Sequence, residues 1–267
     1  MKRGLVVFLC LVMAFSVMAC GKEEDDYGDV DHVQKNSVKD EPTTPAATPT
    51  PTEIPKNPYI LCLDPGHGGR WEGAIYHGKQ ERHLVLQLCK EIRAYLNEHY
   101  PDFEVYLTRE DNETFSSDLG PDLRQRVEFA KNCGAQILVS IHLNASETHK
   151  QRGTMVCISK QPNIHDISVE LANKLLAATG SIGLPSEKNP IVTKNSNDTF
   201  DENGVPVDYY AICRHGASLD IPAVILESCY MDNDKDYEYI KDDAAIKKLA
   251  AVEAEAIAQF MIEKYSK

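Results

Sequence analysis

The chain has 267 residues and a formal net charge of −13 at pH 7. The excess of acidic over basic residues disfavours electrostatic binding to the phosphate backbone of nucleic acids, so we expect no nucleic-acid partner. Residues 59–267 are long enough to form one sizeable domain, whereas the residues before them have a different character.

The N-terminus has the pattern of an export signal. Basic Lys2 and Arg3 precede an uncharged run over residues 5–19, which is shorter than the ~20 residues that span a bilayer. The run ends in Val17–Gly21 (VMACG), which resembles the bacterial lipobox, in which the cysteine is lipidated. We therefore predict a lipoprotein signal peptide at 1–19, lipidation at Cys20 and a membrane-anchored protein at the cell surface. An ordinary cleaved signal or an uncleaved anchor would also export the domain.

Residues 20–58 have the composition of a spacer. An acidic run at 23–26 is followed by six prolines and five threonines between Glu41 and Pro58. Such a segment favours an extended, disordered chain over a packed core. We expect it to hold a folded domain at 59–267 away from the membrane.

Of the eight cysteines, Cys10 and Cys20 belong to the signal region, and none of the others forms a C-x-x-C pair. Several of the others fall in apolar strand or helix patterns, where cysteine behaves as a small buried hydrophobe. We expect free buried thiols, although an exported domain could also pair them in a way the sequence does not reveal. The six are Cys62, Cys89, Cys133, Cys157, Cys213 and Cys229.

Strand and helix patterns alternate through the domain. Short apolar runs predict strands at 61–63, 103–108, 137–141, 153–159, 209–213 and 223–226. Apolar residues at helical spacing predict helices at 80–98, 121–133, 166–178 and 244–265, with further helix from residue 234. Residues 184–208 are expected to form a long irregular loop. The alternation predicts a single α/β domain with a mostly parallel, twisted sheet flanked by helices.

Polar side chains stand where three of these strands end. His67 follows the first strand, His142 follows the strand at 137–141, and Glu227 follows the strand at 223–226. In open α/β sheets, ligands bind at the carboxyl ends of the strands. Glu81 lies in the first turn of a predicted helix, where a carboxylate could simply stabilise the positive end of the helix dipole.

These four side chains form a candidate catalytic set. Two imidazoles and one carboxylate suffice to hold a catalytic zinc ion, which keeps its fourth position for water. A second carboxylate, not bound to the metal, is what such a site needs as a proton shuttle. The residue types alone do not select this set over His77, His83 or Glu72.

The motifs also resemble a known family. Leu63–Gly69 (LDPGHGG), with Glu72–Ala74 and Glu81 after it, resembles the opening of zinc-dependent N-acetylmuramoyl-L-alanine amidases. Ser140–Ala145 (SIHLNA) is similar to the second histidine motif of that family, and Pro222–Glu227 (PAVILE) to its closing strand. Leu107–Arg109 and the helix containing Arg126 match the segments between. The resemblance spans residues 59–265, with the motifs in family order.

The resemblance implies a hydrolase that cleaves the amide bond between N-acetylmuramic acid and L-alanine in peptidoglycan. It implies one Zn²⁺ ion, with the ligands His67, Glu81 and His142. Glu227 becomes the catalytic carboxylate. Asn144 and Arg109 are expected either to position the substrate or to support the ligand shell.

Three other interpretations use the same sequence features. A zinc peptidase acting on peptidoglycan stem peptides would need the same ligand types. A non-catalytic wall-binding lipoprotein of the same fold would be expected to lack a ligand or Glu227, and the sequence has them all. A lipid-anchored transport or adhesion protein would not need histidines at two strand ends. The sequence identifies no protein activator.

Overall fold

The computed structural model describes residues 59–202 and 204–266, which belong to one compact unit. The predicted signal peptide at 1–19, the spacer at 20–58 and the lipidation site at Cys20 lie outside the described residues. Within the described ranges, no helix has the length and apolar character needed to cross a membrane.

Ten strands and six helices make up the described part of the chain. In chain order they are β1 Tyr59–Pro65, β2 Ile75–Tyr76, β3 Lys79–Gln80, α1 Glu81–His99, β4 Phe103–Leu107, α2 Leu119–Asn132, β5 Ile137–Asn144, β6 Thr154–Cys157, α3 His165–Ser181, β7 Ser186–Val192, β8 Asn195–Phe200, β9 Pro206–Asp208, α4 Ala211–Ser218, β10 Ala223–Tyr230, α5 Asp234–Tyr237 and α6 Asp243–Tyr265.

Six of the strands form one sheet in the order β4-β1-β5-β10-β6-β7. The first four run parallel, β6 is antiparallel to β10, and β7 is parallel to β6. Helices cover both faces of this sheet. The predicted α/β class with a mostly parallel sheet is confirmed.

Alternation along the strands sends side chains to two separate cores. On β5, Val139 and Ile141 face the larger core, which packs against α1, α3 and α6. Leu138 faces the smaller core, beside α2 and α4, together with Ile225 of β10. His142 has the parity of Leu138, so its side chain leaves the sheet on the side of the smaller core.

The expectation of an irregular loop at 184–208 is wrong. This stretch holds β7, which extends the sheet at its edge, and a hairpin of β8 and β9. The sequence of β7, SEKNPIV, lacks an alternating apolar pattern because this edge strand has no fully buried side chain on either face. Pro190 is tolerated there because an edge strand pairs on one side only, so a missing N–H on the other side breaks no ladder hydrogen bond.

The predicted strand at 209–213 is also wrong, because the chain there enters helix α4. Its buried positions are Ile212, Cys213 and Gly216, which is helical spacing. A five-residue apolar run does not distinguish a short strand from a helix start, and tertiary packing decides between them.

The six cysteines of the domain are free in the structure. Five are buried and Cys133 is half-buried. Burial raises the pKa of the Cys89 thiol, and likewise that of the Cys229 thiol, so both are held in the neutral form. They act as small apolar core side chains.

Candidate metal centre and active site

His67, Glu81 and His142 converge at the carboxyl edge of the sheet. Their potential ligand atoms all lie within 4.8 Å of one another, and this is the group of side chains among residues 59–202 and 204–266 that could hold a metal ion. His67 Nε2 lies 3.0 Å and His142 Nδ1 lies 3.2 Å from Glu81 Oε1. His77, His83 and Glu72, which the sequence left open as alternatives, are not part of the group.

His67 lies in the loop after β1 with a left-handed backbone, at φ 62°. Arg126 fixes this loop by donating from Nη2 to the His67 carbonyl oxygen at 2.6 Å. The same guanidinium donates to Asp64 at 3.0 Å, and Asp64 also accepts from Ser140 Oγ at 2.6 Å. Burial alone would raise the pKa of Asp64, but Arg126, Ser140 and Thr108 outweigh it and lower that pKa. An ionised carboxylate under the loop therefore anchors the His67 segment.

Glu81 begins α1 and is nearly fully buried. Its Oε2 accepts from the Ala74 N–H at 2.9 Å, and its Oε1 accepts from the Leu143 N–H at 3.0 Å. Burial works against ionisation, but hydrogen bonds to His142 and His67 prevail and lower the Glu81 pKa. The side chain is thus an ionised carboxylate that points toward two imidazoles. Its position is therefore not explained by the helix dipole alone.

Two glycines leave room for the ligands. A Cβ at Gly66 would lie 2.3 Å from Cε1 of His142, inside the imidazole's own volume. A Cβ at Gly73 would lie 2.5 Å from Glu81 Oε2, and the φ of +71° there disfavours any side chain. The backbone therefore closes around His142 and Glu81 only because both positions are glycine.

Glu227 lies in β10, directly beside His142 in β5, since the two residues are register partners. Its other neighbour across the sheet is Met155 of β6. Burial raises the pKa of Glu227 to about 7, with the Glu81 charge adding to the rise and His142 opposing it. A carboxyl with a pKa near neutrality, next to three side chains that could hold a metal ion, can act as a general base and acid.

Arg109 is buried, and its side chain holds the backbone around the candidate site. Its guanidinium donates to four backbone carbonyl oxygens, those of Pro65 at 2.9 Å, Gly66 at 2.8 Å, Arg82 at 2.7 Å and Asp111 at 2.6 Å. These contacts tie the His67 loop to α1. They favour the supporting role for Arg109 over substrate contact.

Asn144 ends β5, two residues after His142 on the same side of the strand. Its Oδ1 accepts from the Ala145 N–H at 2.9 Å, and its Nδ2 lies 3.1 Å from the sulfur of Met155. It stays at the rim of the candidate site, half-buried, so both of its expected roles remain predictions.

The sequence did not reveal a second histidine contact near this edge. The exposed His149 places its Nδ1 2.8 Å from Oδ2 of the buried Asp232. No spacing signal links the two, because they follow different strands and meet only where β5 and β10 end side by side.

Comparisons with known proteins assign the fold and site to a class. The family model of N-acetylmuramoyl-L-alanine amidase matches residues 61–259. The amidase CwlM of Bacillus licheniformis is 28% identical over 204 residues, which cover 74% of this chain and 67% of the relative. The probable amidase AmiB of Haemophilus influenzae is 24% identical over 235 residues, covering 76% of this chain and 52% of that relative.

Solved structures share the fold. The catalytic domain of the amidase CwlV of Bacillus (Paenibacillus) polymyxa has a TM-score of 0.58 at 24% identity, covering 75% of this chain and 97% of that one. An N-acetylmuramoyl-L-alanine amidase of Clostridium difficile 630 has a TM-score of 0.61 at 22% identity, with coverage of 78% and 99%. At these identities the likeness shows the fold alone.

The domain is a hydrolase of the amidase class. The chain belongs to the N-acetylmuramoyl-L-alanine amidase family, because the family model spans most of it. This confirms the predicted N-acetylmuramoyl-L-alanine amidase family. The chain spans 52 to 67% of the length of the first curated relatives.

Proposed function

We propose that this domain hydrolyses the amide bond between the lactyl group of N-acetylmuramic acid and L-alanine, with one zinc ion held by His67, Glu81 and His142. The observation that carries the proposal is the convergence of these three side chains from three separate elements, with the carboxyl of Glu227 beside them. The family match supplies the substrate class.

The donor set suits zinc. Two imidazole nitrogens and a carboxylate oxygen are ligands that zinc takes in catalytic sites, where three protein groups leave one position open. Both imidazoles already point a nitrogen at Glu81 Oε1. Zinc in such a site activates a water molecule near neutral pH and polarises the substrate carbonyl.

Glu227 is the proton carrier in this proposal. Its ionised carboxylate accepts the proton of the attacking water, and the resulting acid donates that proton to the departing amine of L-alanine. A pKa of about 7 suits both steps, because neither form of the group is strongly disfavoured near neutrality. Asp64, Arg126 and Arg109 act by holding the His67 loop in place.

The test is the identity of the bond that is cut. The full chain is incubated with purified peptidoglycan, with zinc or with chelator, and the released ends are identified by mass spectrometry. New L-alanine amino ends that require both zinc and Glu227 would support the proposal. Cleavage within the stem peptide would replace it with the peptidase, and intact substrate with zinc bound would replace it with a wall-binding role.

We further propose that the domain works at the cell surface, held to the membrane by a lipid on Cys20. The proposal rests on the sequence pattern at 1–20 and on a substrate that lies outside the membrane. Residues 20–58 then set the distance over which the domain reaches the wall.

Metabolic labelling with a radioactive fatty acid tests this anchor. Labelled native protein in the membrane fraction, with neither label nor membrane retention after Cys20→Ala, would support it. Equal membrane retention of the unlabelled variant would point to an uncleaved apolar anchor. Release of the native protein into the medium would indicate an ordinary cleaved signal.

A further inference from the structure

Four aromatic side chains lie in ring contact with one another. Tyr76 lies with its ring centroid 4.2 Å from that of His77 and 5.9 Å from that of His149. Tyr237 completes the group, 4.6 Å from His77 and 6.2 Å from Tyr76. We call these four residues the ring cluster.

The ring cluster is built on the same segments as the metal ligands. Tyr76 lies in β2, in the hairpin that leads directly into Glu81, and the Ala74 N–H just before it donates to the Glu81 carboxylate at 2.9 Å. His149 follows β5, which carries His142. The ring cluster therefore shares its supporting segments with Glu81 and His142.

His149 is held in place by several contacts although its backbone is strained, with a left-handed φ of 54°. Its Nδ1 pairs with the buried Asp232 at 2.8 Å, and its N–H donates to the Ser146 carbonyl at 3.1 Å. Its own carbonyl accepts from Asn233 Nδ2 at 3.2 Å. Such preorganisation suits a binding surface, because little entropy is lost when a ligand settles on it.

The two histidines of the ring cluster are open to solvent, Tyr76 and Tyr237 are half-buried, and carboxylates border the group. The His77 and His149 side chains are 50% and 60% exposed. Asp234 accepts from the Tyr76 hydroxyl at 3.2 Å and is itself 84% exposed, and Asp232 lies on the other side. Lys79 reaches this surface too, but its ammonium group donates to the Lys241 carbonyl at 2.5 Å. The carboxylates disfavour an anionic ligand, and the Lys79 ammonium group, 5.6 Å from the centre of the Tyr237 ring, disfavours a cationic one. An uncharged group is therefore the better match.

We propose that the ring cluster is a subsite for the glycan strand, in which an N-acetylhexosamine ring lies on the aromatic faces. This inference rests on the proposed function, since the scissile amide has a sugar on one side and a peptide on the other. A pyranose has an apolar face that suits a π surface, and its hydroxyls find partners in the imidazole nitrogens and the Asp234 carboxylate. The stem peptide then extends away from this surface.

Binding without turnover tests the subsite. The full chain carrying Glu227→Gln is titrated with an uncharged oligosaccharide of N-acetylglucosamine and, separately, with a soluble stem peptide. Tyr76→Leu removes the central ring. His149→Asn removes an imidazole but keeps a residue that tolerates the left-handed backbone and retains a donor for Asp232.

We expect each variant to weaken oligosaccharide binding by about fivefold to tenfold, the loss typical of one aromatic contact. Zinc content and melting temperature serve to verify the fold. Tyr95→Leu is the matched control, because Tyr95 also stacks on a histidine, at 4.1 Å from His99, far along α1 from Glu81.

Three results would overturn the subsite: no oligosaccharide binding by the parent protein, unchanged binding in both ring variants, or weakened binding of the stem peptide alone. The last result would assign the surface to the peptide. The titration measures binding and needs no catalysis. A native chain that fails to cleave peptidoglycan would therefore refute the proposed function, while oligosaccharide binding would still be measurable.

Discussion

Glu253 is a carboxyl group that the proposed reaction does not use. It lies in α6, fully buried against the sheet, and among the described residues neither of its oxygens has a hydrogen-bond partner. Burial raises its pKa from 4.5 to about 8, and the Ser228 hydroxyl opposes this only in part. The folded protein therefore keeps a proton on Glu253 that the unfolded chain releases above pH 4.5.

The sign of the effect on stability follows from this difference. Between pH 4.5 and about 8 the folded state binds more protons, so stability falls as the pH rises and levels off above 8. Within this window the free energy of unfolding falls by about 1.4 kcal/mol for each pH unit. The total loss at pH 7, relative to pH 4.5, is about 3 kcal/mol. Glu253→Gln is neutral at every pH and lacks this dependence.

We expect Glu253→Gln to be more stable than the native chain by about 3 kcal/mol at pH 7, with the gain vanishing near pH 4.5. The assay is urea unfolding of the full chain across pH 4.5–8.5 with chelator present, so that metal binding does not contribute. Glu255→Gln is the control, because burial is slight there and hydrogen bonds, chiefly from Tyr100, lower the Glu255 pKa. Parallel native and Glu253→Gln curves across the whole range would refute the reasoning.

Three further substitutions test the site. Glu227→Gln should lower kcat by about 10²-fold to 10⁴-fold at unchanged zinc content, measured by amide cleavage and metal analysis, and retained activity would remove Glu227 from the reaction. Gly66→Ala should reduce zinc retention at least about tenfold, because the added Cβ would overlap His142, and full zinc occupancy would contradict this. Arg109→Lys should lower stability by about 2 kcal/mol through lost carbonyl contacts and leave KM unchanged. A raised KM with native stability would instead make Arg109 a substrate contact.

The sequence by itself determined the central sheet and the order of the site residues. Strands β1, β5 and β10 are continuous apolar runs because they are buried on both faces, and such runs are visible without a structure. The turn after β1 and the polar residues His142 and Glu227 near the ends of the other two strands follow from the same patterns. The motifs around them also predicted the family correctly.

Only the tertiary structure decided the elements at the margin of the sheet. Edge strand β7 and helix α4 have patterns too weak or too short for local prediction, because contacts from distant segments select their conformation. The same reason hides the pairing of His149 with Asp232 and the burial of Glu253. Glu81 shows the principle most directly, because a carboxylate at a helix start is common, and only packing turned this one toward His67 and His142.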